Sequence, residues 1–276
     1  MSYDFLPGRL YRMPTHFGPS LGPRQGEGER RFACRDTPKT LTLSVSFLTR
    51  REQLAQLLPE GFTVGAEPVV TLSASYMRQI EWLAGRGYNI LGVSFPALFQ
   101  GRRDRAAGEF LAVLWENMCD PILTGRDELG YAKIWAEIPE PRCLGGKIEC
   151  SASWDGFRFL TMEVGDLAAA PPPAAAADDG TLRGTLHYKY IPRTGDWGRA
   201  DAAYAVLTPA AVPNRVVQEY AVGAGTVQFR RARWEDMPTQ SSIVNALADL
   251  EILEYRGATR ARSTGGKDLC DQRILE

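Results

Sequence analysis

Several features that mark common classes of protein are scarce or absent in this chain of 276 residues. Its five cysteines are odd in number and show no Cys-x-x-Cys spacing, so we expect neither disulfides nor a zinc site and predict a reducing compartment. No run of about 18 apolar residues occurs, and the first residues contain no apolar leader segment. These absences predict a cytoplasmic protein that makes no use of a membrane.

A basic excess is missing as well. Lys and Arg number 32 against 33 Asp and Glu, a net charge of -1, so we predict no nucleic-acid partner. With two histidines and no Gly-x-Ser-x-Gly motif, a Ser-His-Asp triad has no support. The Gly-x-Gly pieces lack the strand-to-helix context of a nucleotide site. We therefore predict no bound cofactor and no metal.

What is present is an ordinary globular composition, 44% apolar and 24% charged, rich in short alternating stretches. Alternation with period two predicts β-strands, and two or three helices complete an α+β, mostly antiparallel β protein. We predict one domain over 1–276, with 1–30 an extended arm anchored on the body by aromatic residues and 259–276 a mobile tail. The predicted strands are 40–47, 69–77, 88–95, 110–115, 147–154, 157–164, 182–191, 215–222, 225–234 and 250–255.

The most informative stretch is 117–138, NMCDPILTGRDELGYAKIWAEI. Its first half, 121–130, contains proline, glycine and polar residues that are typical of a loop. Its second half, 131–138, alternates and predicts a short strand. Lys133 would then project from a rigid strand, between the aromatic neighbours Tyr131 and Trp135 on the same face.

A lysine in this setting has two interpretations. Its amine can reach water from the edge of the sheet, as strand lysines commonly do. Alternatively it is buried, which lowers its pKa from about 10.4 and leaves a neutral amine that attacks a carbonyl to form an imine. The second interpretation requires an amine that is dry and not held tightly by a carboxylate. Spacing alone leaves both open.

The segment GRDELGYAKIWAEI resembles the central signature of the acetoacetate decarboxylase-like superfamily, with Lys133 at the Schiff-base position. The resemblance implies a large curved sheet closed into a β-barrel or cone, with this lysine pointing into the cavity, and a homo-oligomer. Further segments resemble family blocks in the family's order. They are RMPTHFGPSLGPRQ (12–25), EWLAGRGYNILGVSF (81–95), LHYKYIP (186–192) and IVNALADLEILEY (243–255).

Two positions depart from the decarboxylase pattern. A second lysine that usually follows the first is Ile134 here, and the glutamate that follows the Tyr88-Asn89 pair is Ile90. An arginine near the start of the first strand also has no equivalent, because Lys39 and Thr40 occupy that region. The chain is therefore identified as a divergent member and not as a typical acetoacetate decarboxylase.

The resulting hypothesis is a Schiff-base enzyme acting through Lys133 on an oxo acid or other small carbonyl substrate, by decarboxylation or by aldol and dehydration chemistry. Arg86 is a candidate for holding a substrate carboxylate. Two alternatives stay open, a cyclase or hydrolase without covalent chemistry and a non-catalytic ligand-binding barrel. The remaining candidate site residues, four of them proton-transfer groups that could replace the missing glutamate, are Tyr88, Tyr76, His16 and Glu116, with Ile90 at the vacated position.

Overall fold

The computed structural model describes residues 4–174 and 180–276, so the first three residues of the predicted arm lie outside the described part. Its strands are β1 Lys39–Leu48, β2 Phe62–Val64, β3 Val69–Arg78, β4 Tyr88–Gln100, β5 Arg105–Glu116, β6 Lys133–Trp135, β7 Arg142–Leu144, β8 Lys147–Trp154, β9 Phe157–Ala169, β10 Leu182–Pro192, β11 Ala200–Pro209, β12 Val216–Phe229, β13 Glu254–Thr264 and β14 Arg273–Leu275. Its α-helices are α1 Arg51–Ala55, α2 Cys119–Thr124 and α3 Ser241–Ala248. Short 3-10 helices occupy Thr15–Phe17, Glu27–Glu29 and Glu81–Leu83, and a π-helical turn occupies Gly125–Leu129.

All the described strands belong to one sheet of 14 strands, in the order β14-β11-β10-β5-β4-β3-β1-β13-β12-β9-β8-β7. Short β2 pairs with β4, and β6 pairs with β5. Most pairs are antiparallel; β5 pairs in parallel with β10 and with β6. The mostly antiparallel prediction therefore agrees with the structure.

The predicted closure into a barrel or cone is wrong, because the sheet is open. Its edges are β14 and β7, each three residues long, and within the described residues they do not pair with each other. A barrel requires the first and last strands to meet with a consistent stagger. Alternation predicts where strands occur but carries no information on which edges meet, and the closure rested on the family resemblance alone.

The core lies on one face of the central strands. Along β3 and β4, alternate side chains point to opposite faces of the sheet. Leu72 and Val93 are fully buried in the core, whereas Ser73 and Ile90 face the opposite side. Burying each large apolar side chain of this kind stabilises the fold by about 1.5–3 kcal/mol. The other face of β3, β4 and β5 is thereby left to form the wall of a cavity.

The C-terminal part of the chain is joined to this sheet. The segment predicted as a mobile tail from residue 259 begins inside β13, between β1 and β12, and finishes in β14, which pairs with β11. Its charge and glycine content suggested mobility, but Ala258 of β13 packs into the core, and Ala261 and Ser263 are buried as well. None of the helices in the described part of the chain has the length and apolar character needed to span a bilayer.

Candidate active site

The stretch before the lysine is helical and not the loop that its composition predicts. α2 runs straight into the π-helical turn, and Gly130 ends it in a left-handed conformation with φ of 82°. Pro121 is tolerated because it stands in the first turn, where its missing N–H would have no helical partner. The strand that follows, β6, is only three residues long rather than the predicted eight.

Lys133 opens β6 opposite Leu114 of β5, and it is 8% exposed. Its Nζ lies 2.8 Å from Oε1 of Glu116, the last residue of β5, which is fully buried. The same amine donates a hydrogen bond to the carbonyl oxygen of Pro121 at 3.1 Å. Neither carboxylate oxygen of Glu116 accepts a hydrogen bond of good geometry from the described residues.

Burial shifts the pKa values of both members of this pair. Desolvation lowers the pKa of Lys133 more than the attraction of Glu116 raises it. Desolvation likewise raises the pKa of Glu116 more than Lys133 lowers it. Both shifts favour a neutral amine beside a neutral carboxylic acid. Lys133 is therefore buried as the second interpretation requires, but the requirement that no carboxylate hold it tightly is not met. The case for a reactive amine rests instead on the pKa shifts of the pair, both of which act toward the neutral forms.

Two signature residues hold the lysine where it is. A Cβ built on Gly125 would lie 2.6 Å from Nζ of Lys133, so only glycine lets the lysine side chain pass under the helical turn. Arg126 donates from Nη1 to the carbonyl oxygen of Lys133 at 2.7 Å and ties the helix to β6. Gly125 and Arg126 thus fix the position of the Lys133 side chain.

A cavity of about 950 Å³ opens in front of the amine. Of the predicted site residues, Tyr88, Ile90, Glu116 and Lys133 line it together. Burial raises the pKa of the Tyr88 phenol, so it stays protonated near neutral pH. The apolar part of the wall includes Met77, Ile90, Leu111, Leu114 and Leu129.

The other three predicted residues lie elsewhere and are not among the described residues that line the cavity. Tyr76 is buried on the opposite face of β3, toward Cys150. Arg86 is exposed in the loop before β4 and donates to the carbonyl oxygen of Leu83 at 3.3 Å. His16 is exposed in a 3-10 turn, with its ring 5.0 Å from that of Phe17.

Sequence reasoning missed a buried arginine. Arg24, in the N-terminal arm, is 4% exposed and lines the cavity with Lys133. Its Nη2 forms an ion pair with Glu128 of the π-helical turn, and Arg12 approaches the same carboxylate at 2.7 Å. The segment that carries Arg24 was noticed as a family block, but no sequence signal links it to a residue 104 positions further on.

Comparison with known proteins agrees with this geometry. The family model for acetoacetate decarboxylase (ADC) matches residues 12–263. The chain belongs to this family. The resemblance predicted from the sequence is thereby confirmed, and the low identities to solved members are consistent with a divergent one. A search of curated protein sequences found no match.

Solved structures share the acetoacetate decarboxylase fold at low identity. An acetoacetate decarboxylase from Legionella pneumophila is 13% identical with a TM-score of 0.65, over 100% of this chain and 98% of that one. MppR, an enduracididine biosynthesis enzyme complexed with the condensation product of pyruvate and imidazole 4-carboxaldehyde, is 17% identical with a TM-score of 0.64, over 93% and 98%. An acetoacetate decarboxylase-like enzyme from Sphingomonas wittichii RW1 is 17% identical with a TM-score of 0.62, over 91% and 97%.

A second polar group surrounds Tyr131, next to the lysine. Buried His187 stacks on the Tyr131 ring at 4.2 Å, and burial lowers its pKa to about 4, so the imidazole is neutral near pH 7. Since the carbonyl of Gly130 only accepts, Nδ1 of His187 donates to it at 3.1 Å, and Nε2 accepts from the Thr208 hydroxyl at 3.3 Å. The Thr208 hydroxyl has one proton, which it donates to His187. In its contact with Tyr131 it therefore accepts, and the Tyr131 hydroxyl donates to it at 2.7 Å. The cavity wall beside Lys133 is rigid for this reason.

The missing glutamate of the acetoacetate decarboxylase pattern also has a structural counterpart. Ile90 of β4 stands directly opposite Glu116 of β5 in the sheet register. A carboxyl group is therefore present in the same part of the cavity wall, carried by the neighbouring strand.

Proposed function

We propose that this protein is a lysine Schiff-base enzyme that acts on an oxo acid or a related carbonyl compound, with Lys133 as the nucleophile. One observation carries the proposal: a buried amine that opens into a large cavity and has a buried carboxyl group 2.8 Å away. A desolvated lysine is the form of the residue that can attack a carbonyl at neutral pH. Membership of an enzyme family supports the same conclusion.

In the proposed reaction the neutral Nζ of Lys133 adds its lone pair to the carbonyl carbon, and the carbonyl π bond breaks toward oxygen. Glu116, whose pKa is raised by burial, acts as the acid in this step and gives its proton to that oxygen. A second proton, lost from the nitrogen and relayed by the Glu116 carboxylate, lets the oxygen leave as water. The product is an imine that keeps one proton on its nitrogen and faces the Glu116 carboxylate, and this protonated imine is an electron sink.

Two onward reactions follow from that intermediate. The protonated imine can accept the electron pair released when a carboxylate leaves as carbon dioxide, or the pair released when a proton is removed from the adjacent carbon. The second route gives an enamine that adds to an aldehyde, with loss of water afterwards. Product analysis with a 3-oxo acid and with a 2-oxo acid plus an aldehyde distinguishes decarboxylation from aldol and dehydration chemistry.

Glu116 takes the part that the missing glutamate would have played. The opposing Ile90 cannot transfer a proton, and neither Tyr76 nor His16 reaches the cavity lining within the described residues. Tyr88 does line the cavity, but its raised pKa makes its phenol a poor proton donor. Glu116 is the candidate whose distance and protonation both suit the step.

Borohydride trapping tests the proposal. The protein is incubated with pyruvate or acetoacetate, reduced, and weighed by mass spectrometry, and we expect one stable adduct on Lys133. The adduct should disappear in Lys133→Ala. Lys189→Ala is the matched control, because this neighbouring lysine donates to the carbonyl oxygen of Asp127 at 2.6 Å rather than lining the cavity.

An adduct that survives Lys133→Ala, or one that disappears in Lys189→Ala alone, contradicts the proposal. Saturable binding of carbonyl compounds without any adduct would instead favour the non-covalent alternatives.

A further inference from the structure

Arg24 presents hydrogen-bond donors that the described residues do not use. Its Nη2 pairs with Glu128, but its Nε and Nη1 are buried and have no acceptor among those residues. The main chain at this residue is held by Arg31, which donates to the carbonyl oxygen of Arg24 at 2.8 Å. Arg24 lines the same cavity as Lys133 and Glu116.

Unpaired donors of this kind are costly. A buried donor without a partner costs about 1–3 kcal/mol, and more when it is charged. Arginine cannot avoid that cost by losing its proton, as lysine can. Arg24 lines the cavity and keeps two such donors, so we infer that a bound ligand supplies their acceptor.

The charges around Arg24 indicate the sign of that ligand. Arg12 and Arg24 share the single carboxylate of Glu128, so this group carries one positive charge that no described ion pair balances. The pair of Lys133 and Glu116 adds no net charge in either of its coupled forms. A singly charged anion placed at Arg24 would neutralise the site.

We propose that Arg24 binds the carboxylate of an oxo acid while Lys133 attacks the ketone of the same molecule. The ketone half of this statement rests on the proposed function, whereas the carboxylate half rests on Arg24 alone. The guanidinium is close enough for its charge to contribute to lowering the pKa of Lys133, which agrees with the two groups acting on one small molecule.

The rest of the cavity indicates what the substrate carries beyond its ketone and its carboxylate. At about 950 Å³ it has the size of pockets that hold drug-sized ligands, far more than a three-carbon acid needs. Near Lys133 its wall includes the apolar side chains of Ile90 and Leu114, with Met77 and Leu111 also in the lining, and charged residues such as Arg215 and Lys267 line it as well. The substrate class is therefore an oxo acid with a bulky apolar extension, and small oxo acids serve as probes of its reacting end.

The experiment compares pyruvate with methyl pyruvate, which has the same ketone and no negative charge. The concentration for half-maximal borohydride trapping is measured for each. In the wild-type protein we expect pyruvate to be trapped at the lower concentration. In Arg24→Gln the value for pyruvate should rise about 10- to 100-fold, the size expected for losing hydrogen bonds to a charged group, with little change for methyl pyruvate.

Arg12→Gln is the matched control. It removes the other arginine on Glu128 but no cavity-lining group, so both half-maximal concentrations should stay within about twofold of wild type, a difference well under 1 kcal/mol. If Arg24→Gln fails to fold, Arg24→Lys keeps the charge toward Glu128 and removes the Nε and Nη1 donors. It should raise the pyruvate value alone.

Equal effects of Arg24→Gln on both probes, or no effect on either, would overturn the assignment. A separate measurement keeps the two proposals apart: calorimetric binding of pyruvate to Lys133→Ala, which cannot form an imine. Binding that depends on Arg24 without any trapping in wild type would reject the imine and retain the carboxylate site. Trapping in wild type that is unchanged in Arg24→Gln would retain the imine and reject the carboxylate site.

Discussion

Glu116 and Glu128 stand twelve positions apart in one stretch, and each meets a cation in the interior. Glu116 faces Lys133 and is fully buried, whereas Glu128 faces Arg12 and Arg24 with 10% of its side chain exposed. The first pair can exchange its proton and become neutral. The second group stays charged, because a guanidinium keeps its proton at any relevant pH.

The two groups therefore suit different purposes: the Lys133–Glu116 pair suits a chemical reaction, and the Glu128 group suits attachment of the N-terminal arm. A lysine beside a buried acid can be a nucleophile and its partner a proton donor, since desolvation favours the neutral form of both. Two arginines on one carboxylate can do no such chemistry, but they fasten the N-terminal arm to the π-helical turn and leave a positive charge facing the cavity. Exchanging these properties by mutation is the direct way to test the contrast.

The largest effect is expected from Glu116→Gln, which keeps the shape of the carboxyl group and removes its proton transfer. The rate of imine trapping should fall about 100- to 10,000-fold. The pH midpoint of the remaining reaction should move to lower pH, because Glu116 is the group that raises the pKa of Lys133 against desolvation. A rate-against-pH profile by borohydride trapping measures both.

Glu109→Gln is the matched control for that variant, since Glu109 also lines the cavity and its hydrogen bond is with Ser94 at 3.2 Å. Its trapping rate should resemble wild type. A full rate in Glu116→Gln, or a midpoint that moves upward, would show that the acid does not act on the lysine.

Glu128→Gln should act on stability instead. Removing the one carboxylate between two buried arginines leaves like charges together and should cost about 3–5 kcal/mol in the free energy of unfolding. Urea denaturation followed by intrinsic fluorescence measures it. Glu251→Gln, which breaks an exposed ion pair with Arg50, is the control and should cost much less. Equal losses in the two variants would mean that burial of the Glu128 group is unimportant.

A smaller effect is expected at Gly125, the residue that lies against both the helical turn and the lysine. Gly125→Ala should push the amine aside and slow trapping about 100-fold, as a shift of the order of 1 Å can do. The melting temperature should change little, because alanine favours the helix while crowding the lysine. Gly165→Ala is the control, since its Cβ would meet only Lys147 at 3.5 Å. An unchanged trapping rate in Gly125→Ala would remove the positioning role.

Local patterns in the sequence determined much of the secondary structure. The predicted strand 40–47 lies within β1, and the predicted strand 147–154 coincides with β8. Period two and period 3.6 are properties of neighbouring residues, so they can be recognised without the fold. The signature around Lys133 likewise singled out the residue that we propose as the nucleophile, and the departures from the family pattern singled out Ile90.

The tertiary structure decided everything that depends on residues far apart in the chain. Alternation put Tyr76 on a strand but not on the core face, and it could not show that the sheet stays open. Nor could it join Arg24 to Glu128, or set Glu116 against Lys133 across a parallel pair of strands. Such contacts arise only when the strands pair and the interior excludes water, and the same exclusion of water alters the protonation of the lysine and its acid.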